Sequence, residues 1–225
     1  WLKTLFNQFH DVIPGSSIKE VYDDSINDLS KVIEKSNIAF KNYAKSIISS
    51  AKSIDRGVAV FNILPWRRKD IVKVDKVGKL PEDVECQEDI DGYYIYVEAP
   101  PTGYTVYRYT EKSCKASEGV KVYEQQDGIV MENEYISLKI DYSSGNISSL
   151  KLKKEGIEML SAPSNRLVAH IDRPGRWDAW DVTDEFLTQR EDMKLIEKPV
   201  IAVKGPLVAC VDVNRGIGLS TIKQS

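Results

Sequence analysis

Two histidines, His10 and His170, and one loop rich in tryptophan and aspartate have the types and spacing to do chemistry in this chain. His10 lies in Asn7-Gln8-Phe9-His10-Asp11-Val12-Ile13-Pro14-Gly15, where an apolar-periodic stretch meets a Pro-Gly break. A neutral imidazole at such a place can ligate a divalent metal, and the adjacent Asp11 can accept from substrate hydroxyls or orient a ligand. Spacing alone favours a plainer reading, in which both side chains satisfy backbone groups at a helix end. A metal needs several ligands, and the sequence offers no HExxH, no second nearby histidine and no cysteine pair. His170, between Ala169 and Ile171 in strand-like sequence, is expected to be a satisfied core or edge histidine rather than a ligand.

The loop Asp172-Arg173-Pro174-Gly175-Arg176-Trp177-Asp178-Ala179-Trp180-Asp181 sets Trp177 and Trp180, and Asp178 and Asp181, three residues apart. Indole faces stack on the C–H face of a sugar ring, while Asp and Arg hydrogen-bond its hydroxyls. The same residues could instead plug a core and cap turns, and their types leave both uses open. Hydrolysis of a glycosidic bond usually needs two carboxylates, about 5–5.5 Å apart for retention or about 6.5–9.5 Å for inversion. With 34 acidic residues, no pair can be chosen by eye. Asp23-Asp24, Glu82-Asp83 and Glu88-Asp89 read as solvated faces and turns. No GxSxG, P-loop or GxGxxG is present.

The elements that would carry these residues change period along the chain. Trp1, Leu2, Leu5, Phe6 and Phe9 fall on one helical face. Ser17-Ile18-Lys19-Glu20 has the form of a capping box. Ile18, Val21, Tyr22, Leu29, Val32, Ile33, Phe40, Tyr43, Ile47 and Ile48 then predict a helix to about Ser53, interrupted near Ser36-Asn37. Such a rod, about 50 Å long at 1.5 Å per residue, can bury its stripe only against other helices, which points to sequence upstream of Trp1.

From Gly57 the period becomes two. Val58–Leu64, Ile71–Val77, Tyr93–Ala99 and Tyr104–Thr110 read as strands of a small antiparallel domain. Glu134–Asp141, Asn146–Leu152, Arg166–Ile171, Val200–Val203, Leu207–Val213 and Ile217–Ile222 begin a second β series, with a hairpin turn at Ser143-Ser144-Gly145-Asn146. The expected class is α+β: a helical-bundle piece (1–54), a small antiparallel β domain (55–126) and the start of a larger β-sandwich (127–225).

Bulk properties exclude several roles. The 225 residues are 42% hydrophobic and 29% charged, with a net charge of −3 and no basic stripe, a poor match for nucleic acid. No apolar run approaches the roughly 20 residues needed to span a bilayer. Cys86, Cys114 and Cys210 are odd in number and far apart, which argues against a disulfide scaffold or structural zinc and fits a reducing compartment. The chain opens with Trp1 and closes in strand-like sequence, so a fragment is expected.

The segment Asn7 to Ile18, followed by Val21-Tyr22, resembles the opening of the middle helical domain of glycoside hydrolase family 38 α-mannosidases. Four further stretches are similar in the family's order. They are Val60-Phe61-Asn62-Ile63-Leu64-Pro65-Trp66, Ala99-Pro100-Pro101-Thr102-Gly103-Tyr104, Met131-Glu132-Asn133-Glu134-Tyr135, and Asp172-Arg173-Pro174 leading into Trp177-Asp178-Ala179-Trp180-Asp181. The resemblance implies retaining hydrolysis of terminal α-mannosides with a divalent metal, commonly zinc. It maps a metal ligand onto His10 and a substrate-hydroxyl contact onto Asp11, and makes Trp177, Asp178, Trp180 and Asp181 candidate pocket residues. It also implies that nucleophile, general acid and the other ligands lie in an N-terminal barrel absent here. The chain by itself is therefore expected to contain no catalytic residue, to hold no zinc usefully and to be inactive.

An α-mannoside or oligosaccharide is the implied partner, together with that barrel. Exposed strand edges would favour association into a homo-oligomer. The tryptophan-aspartate loop resembles the cytosolic and bacterial branch, so a cytoplasmic location is expected. Against the enzyme reading stands a non-catalytic carbohydrate-binding or scaffolding module of the same architecture. An unrelated helix-plus-β interaction domain would have to produce five family-like stretches by chance.

Overall fold

The computed structural model describes residues 1–50, 57–76, 84–109, 118–173, 175–177 and 179–225. The expected helix end near Ser53, the strand ends Val77 and Thr110, the turn at Glu82-Asp83, Cys114 and the candidate site residue Asp178 lie outside these. The elements run α1 (Leu2–Phe6), α2 (Lys19–Ser50), β1 (Gly57–Asn62), β2 (Arg68–Asp75), β3 (Cys86–Glu88), β4 (Gly92–Ala99) and β5 (Gly103–Arg108). They continue with β6 (Lys121–Gln125), β7 (Gly128–Glu132), β8 (Ile136–Asp141), β9 (Ile147–Leu152), β10 (Ile157–Glu158) and β11 (Val168–His170). After one 3-10 turn, Asp184–Leu187, come β12 (Arg190–Asp192), β13 (Lys194–Leu195), β14 (Val200–Lys204), β15 (Ala209–Ile217) and β16 (Ser220–Gln224). The fold class is α+β, with antiparallel sheets.

The described residues of Trp1–Ile54 and His170–Arg190 form one compact unit, and those of Asp55–Ala169 and Glu191–Ser225 a second. In the first, α2 runs 32 residues without the interruption expected at Ser36-Asn37. Ser and Asn cost an exposed helix interior well under about 1 kcal/mol each, too little to break it. The capping box is not formed. The helix starts at Lys19, and the Ser17 hydroxyl donates instead to the Asp11 carbonyl at 2.8 Å. Lys3 of α1 is ion-paired with Asp28 of α2. Along α2 only Ser25 is buried, while Ile26, Ile33, Phe40 and Ile47, one every second turn, are exposed.

The second unit holds the cores. β1 pairs with β5, Phe61 opposite Tyr104, and β4 lies between β2 and β3. Val84, Cys86, Ile95 and Val97 form a buried cluster against Val58, Val60, Val72 and Tyr107. The sheet β6–β10 is a five-stranded meander, and β15 pairs with β13, β14 and β16. Ile129 and Ile140 from the meander meet Val211 and Val213 from β15 in a second cluster. The turn expected at 143–146 is present. Asp141 Oδ1 accepts from the Ser143 and Ser144 amides at 3.0 and 2.9 Å, and Gly145 supplies the left-handed residue at φ 67°.

Three further expectations are corrected. Ile217–Ile222 is not a strand but contains a hairpin turn, with Gly218 at φ 55° between β15 and β16. Strands β3, β6 and β7 lie where no individual strand was expected; the Asp127-Gly128 pair that turns β6 into β7 was the available signal. Cys86 is disulfide-bonded and Cys210 is free, a departure from the reducing compartment that the number and spacing of the cysteines favoured. Distance along the sequence says little about distance in space, so the absence of a CxxC pair was no argument against a bridge.

Candidate functional site

His10 and Asp11 sit in a run of tight turns between the two helices. Asn7 ends α1, its side chain donating to the Lys3 carbonyl at 2.8 Å, and it is buried. The Phe9 carbonyl then accepts from the amides of Val12 and Ile13 at 2.9 and 3.1 Å, so the chain folds back with His10 and Asp11 at its apex. Pro14 precedes Gly15 at φ 87°, a conformation that favours glycine.

The imidazole of His10 is three-quarters exposed and lies beside the Phe9 ring at 4.2 Å. Its Nε2 is 3.4 Å from Asp11 Oδ2, longer than a charge-assisted hydrogen bond. Asp11 is held more firmly than His10. Its backbone carbonyl accepts from Ser17 Oγ at 2.8 Å and from Tyr22 Oη at 3.3 Å, and its carboxylate accepts from Ser16 Oγ at 3.3 Å. The backbone of this turn is thus tied to the first turn of α2 while the imidazole is presented outward. An exposed nitrogen donor and an adjacent carboxylate fit two places around a divalent cation or a sugar hydroxyl. Among the described residues no group of three or more His, Cys, Asp or Glu is placed to hold a metal, so the pair is at most part of a ligand set.

The tryptophan-aspartate loop belongs to the same unit and reaches the same turn. Trp180 Nε1 donates to the Ser16 carbonyl at 2.9 Å, across 164 residues of sequence. Ser16 therefore touches Trp180 through its carbonyl and Asp11 through its hydroxyl. Trp177 takes φ 60°, a strained conformation for a bulky residue, and its carbonyl accepts from the Trp180 and Asp181 amides at 2.8 and 3.0 Å. Arg176 lies over the Trp177 ring at 4.9 Å. The indoles of Trp177 and Trp180 remain 64% and 69% exposed, so they do not plug a core. Asp181 Oδ1 accepts from the Val182 amide at 2.9 Å and caps its own turn.

His170 behaves as a satisfied histidine. Its Nδ1 is 2.7 Å from the Phe186 carbonyl, and its ring stacks on Phe186 at 4.3 Å. The residues that sequence reasoning missed are Ser16, Ser17 and Tyr22. Tyr22 fits the apolar stripe of α2 and gave no sign that its hydroxyl turns back toward Asp11.

Residues 1–47 match the alpha mannosidase middle domain, and residues 131–225 match the glycosyl hydrolases family 38 C-terminal domain. Over these two segments the chain is similar to α-mannosidases of glycoside hydrolase family 38. Alpha-mannosidase 2C1 of Homo sapiens is 29% identical over 210 residues, covering 92% of this chain and 18% of that protein. Its counterpart in Mus musculus is 29% identical over 213 residues, with the same coverage. Alpha-mannosidase G of Dictyostelium discoideum is 25% identical over 261 residues, covering 95% of this chain and 23% of that protein. The chain thus spans about a fifth of the length of the curated relatives it matches. Both the turn that carries His10 and the strands β8 to β16 fall inside the matched residues. No helix among the described residues is long and apolar enough to cross a membrane.

Proposed function

We propose that the polypeptide carrying this chain hydrolyses terminal α-mannosides with retention and depends on a divalent metal, zinc by preference. His10 contributes one imidazole to the metal, and Asp11 accepts from a substrate hydroxyl. Bound there, the metal would template sugar hydroxyls and stabilise charge as the ring flattens. The observation that supports this reading is the turn itself. Its imidazole is exposed, its carboxylate is held by Ser16, and two exposed indoles hang from the same residue or its loop. Trp177 and Trp180 offer stacking faces for a pyranose, and Asp178 and Asp181 offer acceptors for its hydroxyls. Nucleophile, general acid and the remaining ligands come from the rest of the polypeptide, and the 225-residue chain alone is inactive.

The test is hydrolysis of an aryl α-mannoside by the whole polypeptide, with and without chelator, beside its His10→Ala variant. Metal-dependent activity that collapses in the variant supports the assignment. Activity and metal content untouched by the substitution would remove His10 from the site. No activity with any divalent metal would favour the non-catalytic carbohydrate-binding reading. The cytoplasmic location read from the loop is part of the same proposal, and the Cys86 disulfide weighs against it. A thiol count on protein isolated from its own cells decides that point.

A further inference from the structure

We infer that Tyr22 and Ser17 are positioning residues for the His10–Asp11 turn, an inference that rests on the metal-site reading above. The first turn of α2 sends its polar groups back toward the preceding loop. The Ser17 amide stands just ahead of the helix start, where the side chain of Glu20 was expected to satisfy it. It donates instead to Tyr22 Oη at 3.1 Å. The same phenol donates to the Asp11 carbonyl at 3.3 Å, and the Ser17 hydroxyl donates to that carbonyl at 2.8 Å.

Three residues therefore close a ring of hydrogen bonds. The Ser17 amide reaches the Tyr22 oxygen, the Tyr22 hydroxyl reaches Asp11, and the Ser17 hydroxyl returns to Asp11. Tyr22 thus takes the place of the Glu20 carboxylate on the Ser17 amide, while the Ser17 hydroxyl gives its proton to the Asp11 carbonyl. The ring spans the Pro14-Gly15 bend, the place where this loop would otherwise flex.

The consequence is mechanical. Tyr22 belongs to a 32-residue helix, a rigid reference, and His10 precedes by one residue the carbonyl that Tyr22 and Ser17 grip. Two hydrogen bonds on the Asp11 carbonyl hold the Asp11–Val12 peptide plane, which carries the Asp11 side chain and from which His10 is one peptide away. Loss of a group that orients a metal-ligating histidine or carboxylate typically costs about 10–100-fold in metal affinity or activity. Ser16 extends the device. It holds the Asp11 carboxylate with its hydroxyl and receives the Trp180 indole on its carbonyl, so the stacking face is referenced to the same loop.

The experiment uses the whole polypeptide with Tyr22→Phe, Ser17→Ala, the two combined, and Ser17→Thr, which keeps the hydroxyl. Zinc retention is followed by competition with a chelator, and kcat and KM are measured separately on an aryl α-mannoside. The combined variant should hold zinc about 10–100-fold more weakly and lose kcat/KM mainly through kcat. Ser17→Thr should restore both, a rescue that a merely structural role does not require. Should Tyr22→Phe fail to fold, the Ser17→Ala and Ser17→Thr pair carries the test alone. Zinc retention and kcat/KM within about twofold of the parent in all variants, while His10→Ala abolishes both, would overturn the positioning role and leave the metal reading standing. If His10→Ala itself retains zinc and activity, both fall together.

Discussion

The unit built on α2 and the unit built on the β-strands solve stability in opposite ways. In the β unit, buried apolar side chains from facing sheets form two clusters, around Ile95 and around Ile129. The helical unit has no described apolar residue that is buried; its buried residues, Asn7 and Ser25, are polar. Yet the side chains proposed for metal and sugar, His10, Asp11, Trp177 and Trp180, all belong to the helical unit. The candidate site is carried by hydrogen-bonded turns beside a helix whose apolar face is exposed, and the buried apolar clusters lie in the β unit.

That contrast can be broken by paired substitutions. Ile95→Ala, at a fully buried position of β4, should destabilise the chain by about 2–5 kcal/mol in urea unfolding. Ile33→Ala, on the exposed face of α2, should stay within about 0.5 kcal/mol. A core-sized loss at Ile33 would mean that the face is covered in solution, and the comparison would fail.

A smaller effect tests how the β unit is knitted. Gln87 is buried, accepts from the Leu207 and Val208 amides at 2.8 Å each, and donates to the Val208 carbonyl at 3.0 Å. Gln87→Ala strands those amides and should cost about 1–3 kcal/mol. Unchanged unfolding would show that water replaces the side chain without penalty.

The smallest effect concerns charge. Lys73 lies 2.8 Å from Asp89 and 2.7 Å from Asp91, and its hydrogen bonds hold both carboxyls below their ordinary value near 3.8. A depressed folded value means stability that is complete above about pH 4 and is lost as the pH falls through the lowered values. Lys73→Met should therefore remove a small stabilisation at neutral pH, leave the protein little changed once the pH is below the lowered values, and so flatten the acid limb between, as thermal melts across pH would show.

Much of the fold was legible because its signals are local. Alternation along residues 93–99 marked β4, with Tyr93, Ile95 and Val97 on one face, and the Ser-Ser-Gly-Asn turn after Asp141 was readable from composition. The motif around His10 was legible as a motif, but not as geometry. Tyr22 looked like one more stripe residue, and Ser17 like a cap, because helical periodicity records only which face a side chain occupies. Where its hydroxyl finds a partner depends on the path of the turn that precedes the helix.

The sequence by itself determined the helix, most strands and the order of the pieces, and it offered the candidate residues for metal and sugar. Each follows from preferences acting over a few neighbouring residues. Only the tertiary structure decided that Trp180 meets Ser16 and that Gln87 clamps Leu207 and Val208. It likewise set buried Arg215 on Gly145 and Asn146, at 2.5 and 3.1 Å. These partners are brought together by the packing of whole sheets and loops, a sum of many weak terms that no short stretch of sequence displays.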